Sequence, residues 1–407
     1  MGSSHVTARV WRLGGMLFLI CLAIRPCSMS YPRELWAKKP GSNSKLFAIE
    51  INAKVGFINN TGKVVIAPTI DVRIEDMGDF FNGLARVHDR GFIDETGKWV
   101  IKQEYGWLND FSDGLARAVV DDPNKEYAHL TLILDPTGKV LAKIRSSPIR
   151  EFSDGLAAFE AKGKPGIRKL EPGNFVYLDF PGLEGFLDRT GTIVIKPQFA
   201  KAGPFIGGLA MAAVDSYCHL ATPGGGRQGS PTSGYPSSCG GAPADAVSPC
   251  KVGFINSTGY FSIEPRFEAA RDFQEKLAAV RIDSLWGFIN AQGITVIPPI
   301  YEEAQSFREG LAAVRVKGKW GFIDTVGVMI IPPRFEEVEP FSDSLAIATG
   351  KKRIVYINRK GNIQIAGPFL EATPFVHGLA AVRFTSDRVT YINHSGKSVF
   401  EYTRRKQ

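Results

Sequence analysis

The sequence predicts an all-β fold: an array of about nine three-stranded antiparallel β-meanders of about 34 residues each, stacked as an open superhelix or, alternatively, closed as a propeller-like ring. Three observations predict it. A glycine recurs four or five residues after each Phe-Ile-type pair, at Gly62, Gly97, Gly138, Gly191, Gly259, Gly293, Gly327, Gly361 and Gly396, and the last five are spaced by 34, 34, 34 and 35 residues. A fixed period of this length marks a repeat architecture and has to be settled before any domain parsing. Between the glycines, apolar and polar residues alternate with the two-residue period of strands. Finally, 43 glycines and 25 prolines in 407 residues supply the many turns an all-β chain needs.

The unit that begins at Leu311 shows each element in order. "LAAVRV" sets Ala312, Val314 and Val316 against Arg315 as a first strand, and "KGK" turns the chain. "WGFID" places Trp320 and Phe322 on one face and Ile323 on the other, so both faces expect apolar neighbours. "DTVG" is a hairpin connection in which Gly327 takes a positive φ. "VMIIPP" is a third strand ended by prolines, which cannot donate to a ladder. "RFEEVEPFSDS" carries Phe335, Val338 and Phe341 three apart and is broken by Pro340, which reads as an irregular or 3₁₀ crossover rather than a fourth strand. Its two Phe residues are expected to plug the gap between units. One meander cannot bury both its faces, so stacking has to complete the core. Nine first strands begin at Leu46, Leu84, Leu115, Leu156, Leu209, Leu277, Leu311, Leu345 and Leu379, and the last unit ends near Tyr402.

"KWGFID", "LWGFIN" and "KVGFIN", followed by Ile-x-Pro-x-Phe and Phe-x-x-Gly-Leu-Ala, resemble the WG-repeat (KWG) family of bacterial β-repeat proteins. The resemblance covers the chain from about Leu46 to Tyr402 and implies a repeat used for binding or scaffolding, with no activity general to the family. Trp stands only at Trp286 and Trp320; Val55, Arg90, Glu184 and Val252 replace it elsewhere, and Leu132, Val355 and Thr390 replace the Gly. No chemistry shared by all units can depend on Trp-Gly. The pair is read as a packing position, with Gly admitting a close backbone or ring.

Residues 1–30 read as a signal peptide or N-terminal anchor. Arg9 and Arg12 precede an apolar run over 13–24, too short to span a bilayer comfortably, and "RPCSMS" matches a small-x-small cleavage site poorly. A leader over 31–45 precedes the array over 46–403. The expected location is therefore exported: periplasmic, secreted or N-terminally anchored. The net charge of +8 is spread among mixed charges, and only Arg404-Arg405-Lys406 forms a basic run, so nucleic acid is not expected as a partner.

Length variation concentrates between the first and second strands. From Leu to the Phe position the distance is 11 residues in the units from Leu46, Leu277 and Leu311, but 18, 30 and 45 in those from Leu115, Leu156 and Leu209. Equivalent loops in a stacked array leave one edge, so the enlarged loops 119–130, 160–184 and 215–251 are expected to cluster. Clustered insertions mark a binding face, or drift at a tolerant loop. Tyr127, Phe175, Tyr177, Tyr217 and Tyr235 are the candidate recognition residues, since Tyr is enriched in binding patches. The Gly/Pro/Ser-rich insertion 215–251 holds Cys218, Cys239 and Cys250, the disulfide candidates, with Cys218–Cys250 the favoured pair because both flank the loop. Cys218, His219, Cys239 and Cys250 have poor spacing for zinc, and no metal or cofactor is expected. Asp113, Asp154 and Asp343 in "FSDG" and "FSDS" are expected to cap their own turns. No G-x-S-x-G, H-E-x-x-H or P-loop occurs. The expected function is non-enzymatic binding or scaffolding through the enlarged loops, for a protein, glycan or envelope component, with the membrane met only through an N-terminal anchor. The alternative is a hydrolase-type enzyme with its site among those loops.

Overall fold

The computed structural model describes residues 44–122, 129–145, 149–161, 175–177, 182–214, 251–350 and 353–403. The chain divides into two compact units, Met1–Ser30 and Tyr31–Gln407, and all described residues lie in the second.

The repeat from Leu311 forms a sheet in the order Glu303–Ala304, Leu311–Val316, Lys319–Asp324, Met329–Phe335. Two-residue turns precede the second and third strands, the first closed by the bridge Arg308↔Leu311, and their central residues take the paired positive φ of type I′ turns: Glu309 and Gly310 at 52° and 75°, Lys317 and Gly318 at 50° and 72°. The next turn is locked by a side chain. Asp324 Oδ1 accepts from the N–H groups of Val326 and Val328 at 3.1 and 2.8 Å. Asn59, Asp94, Asp135, Asp188, Asn256, Asn290, Asn358 and Asn393 make the same bond four residues ahead. The glycine that follows must then carry a positive φ, which is 90° at Gly327.

Nine such sheets follow one another along the chain, numbered here as blades 1 to 9. The crossover read as irregular supplies a short strand after all. In blade 7 it is only two residues long, and in blade 8 Glu337 and Val338 pair with Thr349 and Ala348. The expected three-stranded unit is therefore four-stranded in six sheets. So short an element leaves no two-residue period to read. Blade 1 has three strands among the described residues, and blade 4 has three plus a bridge between Ile149 and Phe159.

The two faces of each third strand pack in opposite directions, as the alternation predicts. Trp320 and Phe322 join a core with Ala346, Ala348 and Ile357 of blade 8, while Ile323 joins Phe288 and Trp286 of blade 6. A crossover Phe seals the seams within the array: Phe322 meets Phe341 at 4.9 Å, Phe288 meets Phe307 at 4.8 Å, and Phe254 meets Phe273 at 4.8 Å.

The array closes. Phe47 of blade 1 meets Tyr391 of blade 9 at 5.6 Å, edge to face, and Tyr391 Oη donates to the Ala48 carbonyl at 2.7 Å. Leu379, Ala381, Val389, Tyr391 and Tyr402 share one core with Phe47, Val55 and Phe57. The turn glycines tell the same story. A Cβ at Gly327 would lie 3.4 Å from Ile297 of the preceding blade, and one at Gly361 2.8 Å from Ile331; one at Gly62 would lie 2.7 Å from Val399 of blade 9. Blade 9 thus precedes blade 1 as each blade precedes the next. The expected open superhelix is overturned, and the molecule is a nine-bladed β-propeller ring. The reason is taper. Short strands and the Ala-rich second strands (Ala278-Ala279, Ala312-Ala313, Ala380-Ala381) form the narrow edge of each blade. Trp, Phe and Ile fill its wider part, and the outer strands expose Val64, Val194, Val296 and Ile330 on the rim.

Candidate binding surfaces

The Trp-Gly pair is buried. Trp286 and Trp320 are 4% and 8% exposed, and Trp320 pairs with Phe335 across the ladder. After Trp320↔Phe335 the next pair is Phe322↔Ile331, so two steps on the third strand face four on the outer one. The bulge carries the Ile-x-Pro backbone over the glycine, where a Cβ at Gly321 would lie 2.4 Å from the Ile331 carbonyl oxygen. Gly56, Gly185, Gly253 and Gly287 meet the equivalent carbonyl at 2.4–2.6 Å. Leu132, Val355 and Thr390 instead pair directly with Lys143, Ala366 and Glu401. Those three blades lack both the Gly and the Pro at that step. The close neighbour is the blade's own outer strand.

Where Glu184 replaces the Trp, the carboxylate is 1% exposed and is met by three donors. Lys201 Nζ approaches at 2.8 Å, the Ala202 N–H at 2.6 Å, and Arg150 Nη2 completes the set. A buried charge persists only with such partners.

Six residues before the Leu of blades 2 to 9, in or just past the inner strand, stands a position of changing chemistry: Gly78, Asn109, Arg150, Gly203, Arg271, Gln305, Glu339 and Thr373. Its side chains reach the next blade. Arg271 Nε donates to the Ala304 carbonyl at 2.8 Å, Gln305 Nε2 to that of Val338 at 3.4 Å, and Arg150 Nη1 to that of Ala202. Glu339 breaks the series: burial pushes its carboxyl up to about 8, and Oε1 has no hydrogen-bond partner. Sequence reading passed over this position, although its constant spacing and shifting chemistry were visible.

The acids of "FSDG" do not cap their own turns. Asp113 Oδ2 accepts from the Gly155 N–H at 2.6 Å, Asp154 from Gly208 at 2.9 Å, and Asp343 from Gly378 at 2.5 Å, each in the following blade. Glu275 and Glu309 do the same with Gly310 and Ser344, at 2.8 and 3.0 Å. Serines strengthen the link: Ser112, Ser153 and Ser342 Oγ donate to the carbonyls of Phe152, Phe205 and Phe375. Local spacing suggested a local cap; only the ring brings the next hairpin within reach.

Because the strands are antiparallel, these hairpins and the glycine turns leave one face, and the second-to-third-strand connections leave the other. The three enlarged connections join Ala116–Asp121 to His129–Leu134, Leu156–Glu160 to Glu184–Asp188, and Leu209–Ala213 to Val252–Asn256. They belong to three adjacent blades and one face. Tyr127, Tyr217, Tyr235, Cys218, Cys239 and Cys250 lie outside the described residues. Phe175 and Tyr177 belong to the strand Phe175–Tyr177, which pairs in parallel with the outer strand of blade 3 in the register Lys143↔Phe175, Ile144↔Val176, Arg145↔Tyr177. Among the described residues, no group of three His, Cys, Asp or Glu side chains is placed to hold a metal ion, and no helix is long and apolar enough to cross a membrane.

The fold and these surfaces define a propeller whose blades are one repeated sentence with variable loops. The WG containing repeat family matches residues 56–87, 91–122, 185–218, 253–286, 286–320, 320–349 and 356–385, more than half of the chain, and the chain belongs to that family. Among solved structures, it is similar to a eukaryotic initiation factor, at 10% identity over 88% of this chain and 96% of that one, with a TM-score of 0.44. It is also similar to BamB from Moraxella catarrhalis, at 10% identity over 73% and 88%, TM-score 0.38. The WD40 propeller domain of Doa1 matches at 10% identity over 66% and 82%, TM-score 0.27. No curated protein matches the sequence.

Proposed function

We propose that this protein is a non-enzymatic binding or scaffolding module that engages a protein, glycan or envelope component through the enlarged loops of blades 3, 4 and 5. One observation carries the reading: the three longest second-to-third-strand connections leave the same face of three adjacent blades. Loops on a rigid scaffold are where recognition concentrates. Strand Phe175–Tyr177 supports it too, because it anchors part of the middle insertion on blade 3 and lowers the ordering cost of binding. Residues 1–30 act as an export signal or anchor in this reading. A Cys218–Cys250 disulfide fits the loop ends, since Ala213 and Val252 are ladder partners.

The test replaces 123–128, 162–181 and 215–250, singly and together, by the two-residue turn Asp283-Ser284 of blade 6. Circular dichroism and thermal melting check the ring, and capture of components from an envelope extract reads binding. Loss of a wild-type partner with an intact melt is the expected result. Undiminished capture by the triple replacement overturns the proposal.

A further inference from the structure

The repeat supplies an internal template for every side chain, and one template is incomplete. At the seam of blades 2 and 3, Gly78, Arg86 and Asp110 form a set. Arg86 Nε donates to Asp110 Oδ1 at 3.0 Å, and its Nη1 donates to the carbonyls of Asp76 and His88 at 3.2 and 3.3 Å. Gly78 keeps the carboxylate's place open, for a Cβ there would lie 2.2 Å from Asp110 Oδ1. Both ends of the ion pair are largely sheltered, with side chains 18% and 12% exposed.

The equivalent set at the seam of blades 5 and 6 is Gly203, Met211 and Asp272. Gly203 stands six residues before Leu209 as Gly78 stands six before Leu84; Met211 and Arg86 each follow that Leu by two; Asp272 and Asp110 each precede the next Leu by five. The carboxylate arrives where the template puts it. A Cβ at Gly203 would lie 3.1 Å from Asp272 Oδ1 and 3.5 Å from Met211 Cβ. The cation does not arrive, because Met211 offers no donor. Asp272 Oδ1 is buried and has no hydrogen-bond partner. Arg271, its neighbour in the chain, is turned elsewhere: Nε donates to the Ala304 carbonyl, and the guanidinium lies 5.3 Å from the centre of the Trp286 ring. Burial pushes the Asp272 carboxyl up to about 7, with Arg271 pulling it back in part.

We infer that the Gly203–Met211–Asp272 set at the seam of blades 5 and 6 is a binding site for an organic cation, a guanidinium or primary ammonium group, which brings to Asp272 the donor that Arg86 brings to Asp110. Charge-assisted hydrogen bonds to a sheltered carboxylate are strong and directional, and a guanidinium matches that acceptor best. The cation is either a free amine or an Arg or Lys side chain of a peptide. The inference does not depend on the loop reading, since all three residues remain in the loop-replaced variants.

The test uses the full chain and its variants Asp272→Asn and Met211→Arg. Thermal shift and calorimetric titration are run with agmatine, butylamine and an acetylated, amidated Gly-Arg-Gly peptide, with urea and butanol as neutral controls. Wild type is expected to show saturable stabilisation by the cations and none by the controls. Affinity should fall at least tenfold in Asp272→Asn. Met211→Arg should lose the response and melt higher without ligand, because it rebuilds the template pair. Should Met211→Arg fail to fold, Asp272→Asn carries the comparison alone. Response to the peptide only assigns the site to a partner's side chain, and response to the free amines as well assigns it to a small molecule; either supports the site. An equal response in wild type and Asp272→Asn, or none in wild type at millimolar cation, overturns it.

Discussion

A single absent side chain fixes the geometry of five blades. Gly321 and its counterparts let the Ile-x-Pro backbone lie where a Cβ would stand 2.4–2.6 Å from a carbonyl oxygen, a distance side chains do not tolerate. Gly321→Ala is therefore expected to cost about 1–3 kcal/mol, the usual range for forced overpacking, as a lower midpoint in urea denaturation. An alanine at Leu132, whose blade has no such bulge, should instead show only the loss of a buried side chain and leave the ladder register unchanged. Titration offers a second probe at this scale. Glu339 is held up to about 8 by burial, well above its ordinary 4.5, so the folded state favours its protonated form. A raised folded-state value gives stability that is fully present below the ordinary carboxylate range and is lost as the pH rises through about 8. Melting temperature should fall between about pH 5 and 8 and level off above that, and Glu339→Gln should flatten that part of the profile. A decline of equal slope in both proteins would count against the assignment. The packing role of Trp-Gly was legible because so many units dispense with it. The bulge that demands the Gly was not, because register belongs to a pair of strands and not to either one.

Between elements, two devices join each blade to the next, and they differ in weight. The aromatic seam is the stronger. Phe322 is fully buried and packs edge to face on Phe341, so Phe322→Ala should cost about 3–5 kcal/mol and loosen blades 7 and 8 together. Hydrogen exchange in both blades, against an unchanged blade 3, is the measurement. Carboxylate links between hairpin tips are partly open to water and are weaker. Glu309 accepts from Ser344 N–H and lies 3.8 Å from Arg359, with a side chain 34% exposed. Its replacement by Ala should cost less than about 1 kcal/mol, as solvent screening dictates. It should raise exchange at Ser344 without moving the global melt appreciably. Plugging of the seam by Phe341 was readable from spacing alone; that the outer strand runs on through Pro332 and Pro333 to Phe335 was not, because its pairing with Trp320 belongs to the ladder. Nor was the two-residue inner strand between Phe335 and Phe341, since Glu337 and Val338 become a strand only because Thr349 and Ala348 lie alongside.

For the whole molecule, closure is the property that matters, and at its seam Phe47 of the strand Leu46–Ile51 packs on Tyr391 where the other seams use a crossover Phe. Tyr391 is 2% exposed, and its hydroxyl donates to Ala48, 343 residues away in the chain. Tyr391→Phe should cost about 1 kcal/mol, the typical net worth of one such hydrogen bond, plus the penalty of an unsatisfied carbonyl. Removal of residues 371–403 should do much more, exposing Phe47 and Val55 and producing a chain that associates or melts broadly. A truncated chain with a sharp monomeric melt would contradict a closed ring. By itself the sequence determined the class, the number of repeats, the turn chemistry and the alternation that sends Trp320 one way and Ile323 the other. Each of these is a local rule repeated often enough to rise above ambiguity. Tertiary structure alone decided that the array closes, that Asp113 serves the next hairpin, and that Asp272 stands without the cation Asp110 has. Closure depends on the small difference in width between the Ala-rich and Phe-rich parts of a blade, summed over nine copies. Partnership across a seam depends on which blade comes to lie beside which, and no short stretch of the chain records either.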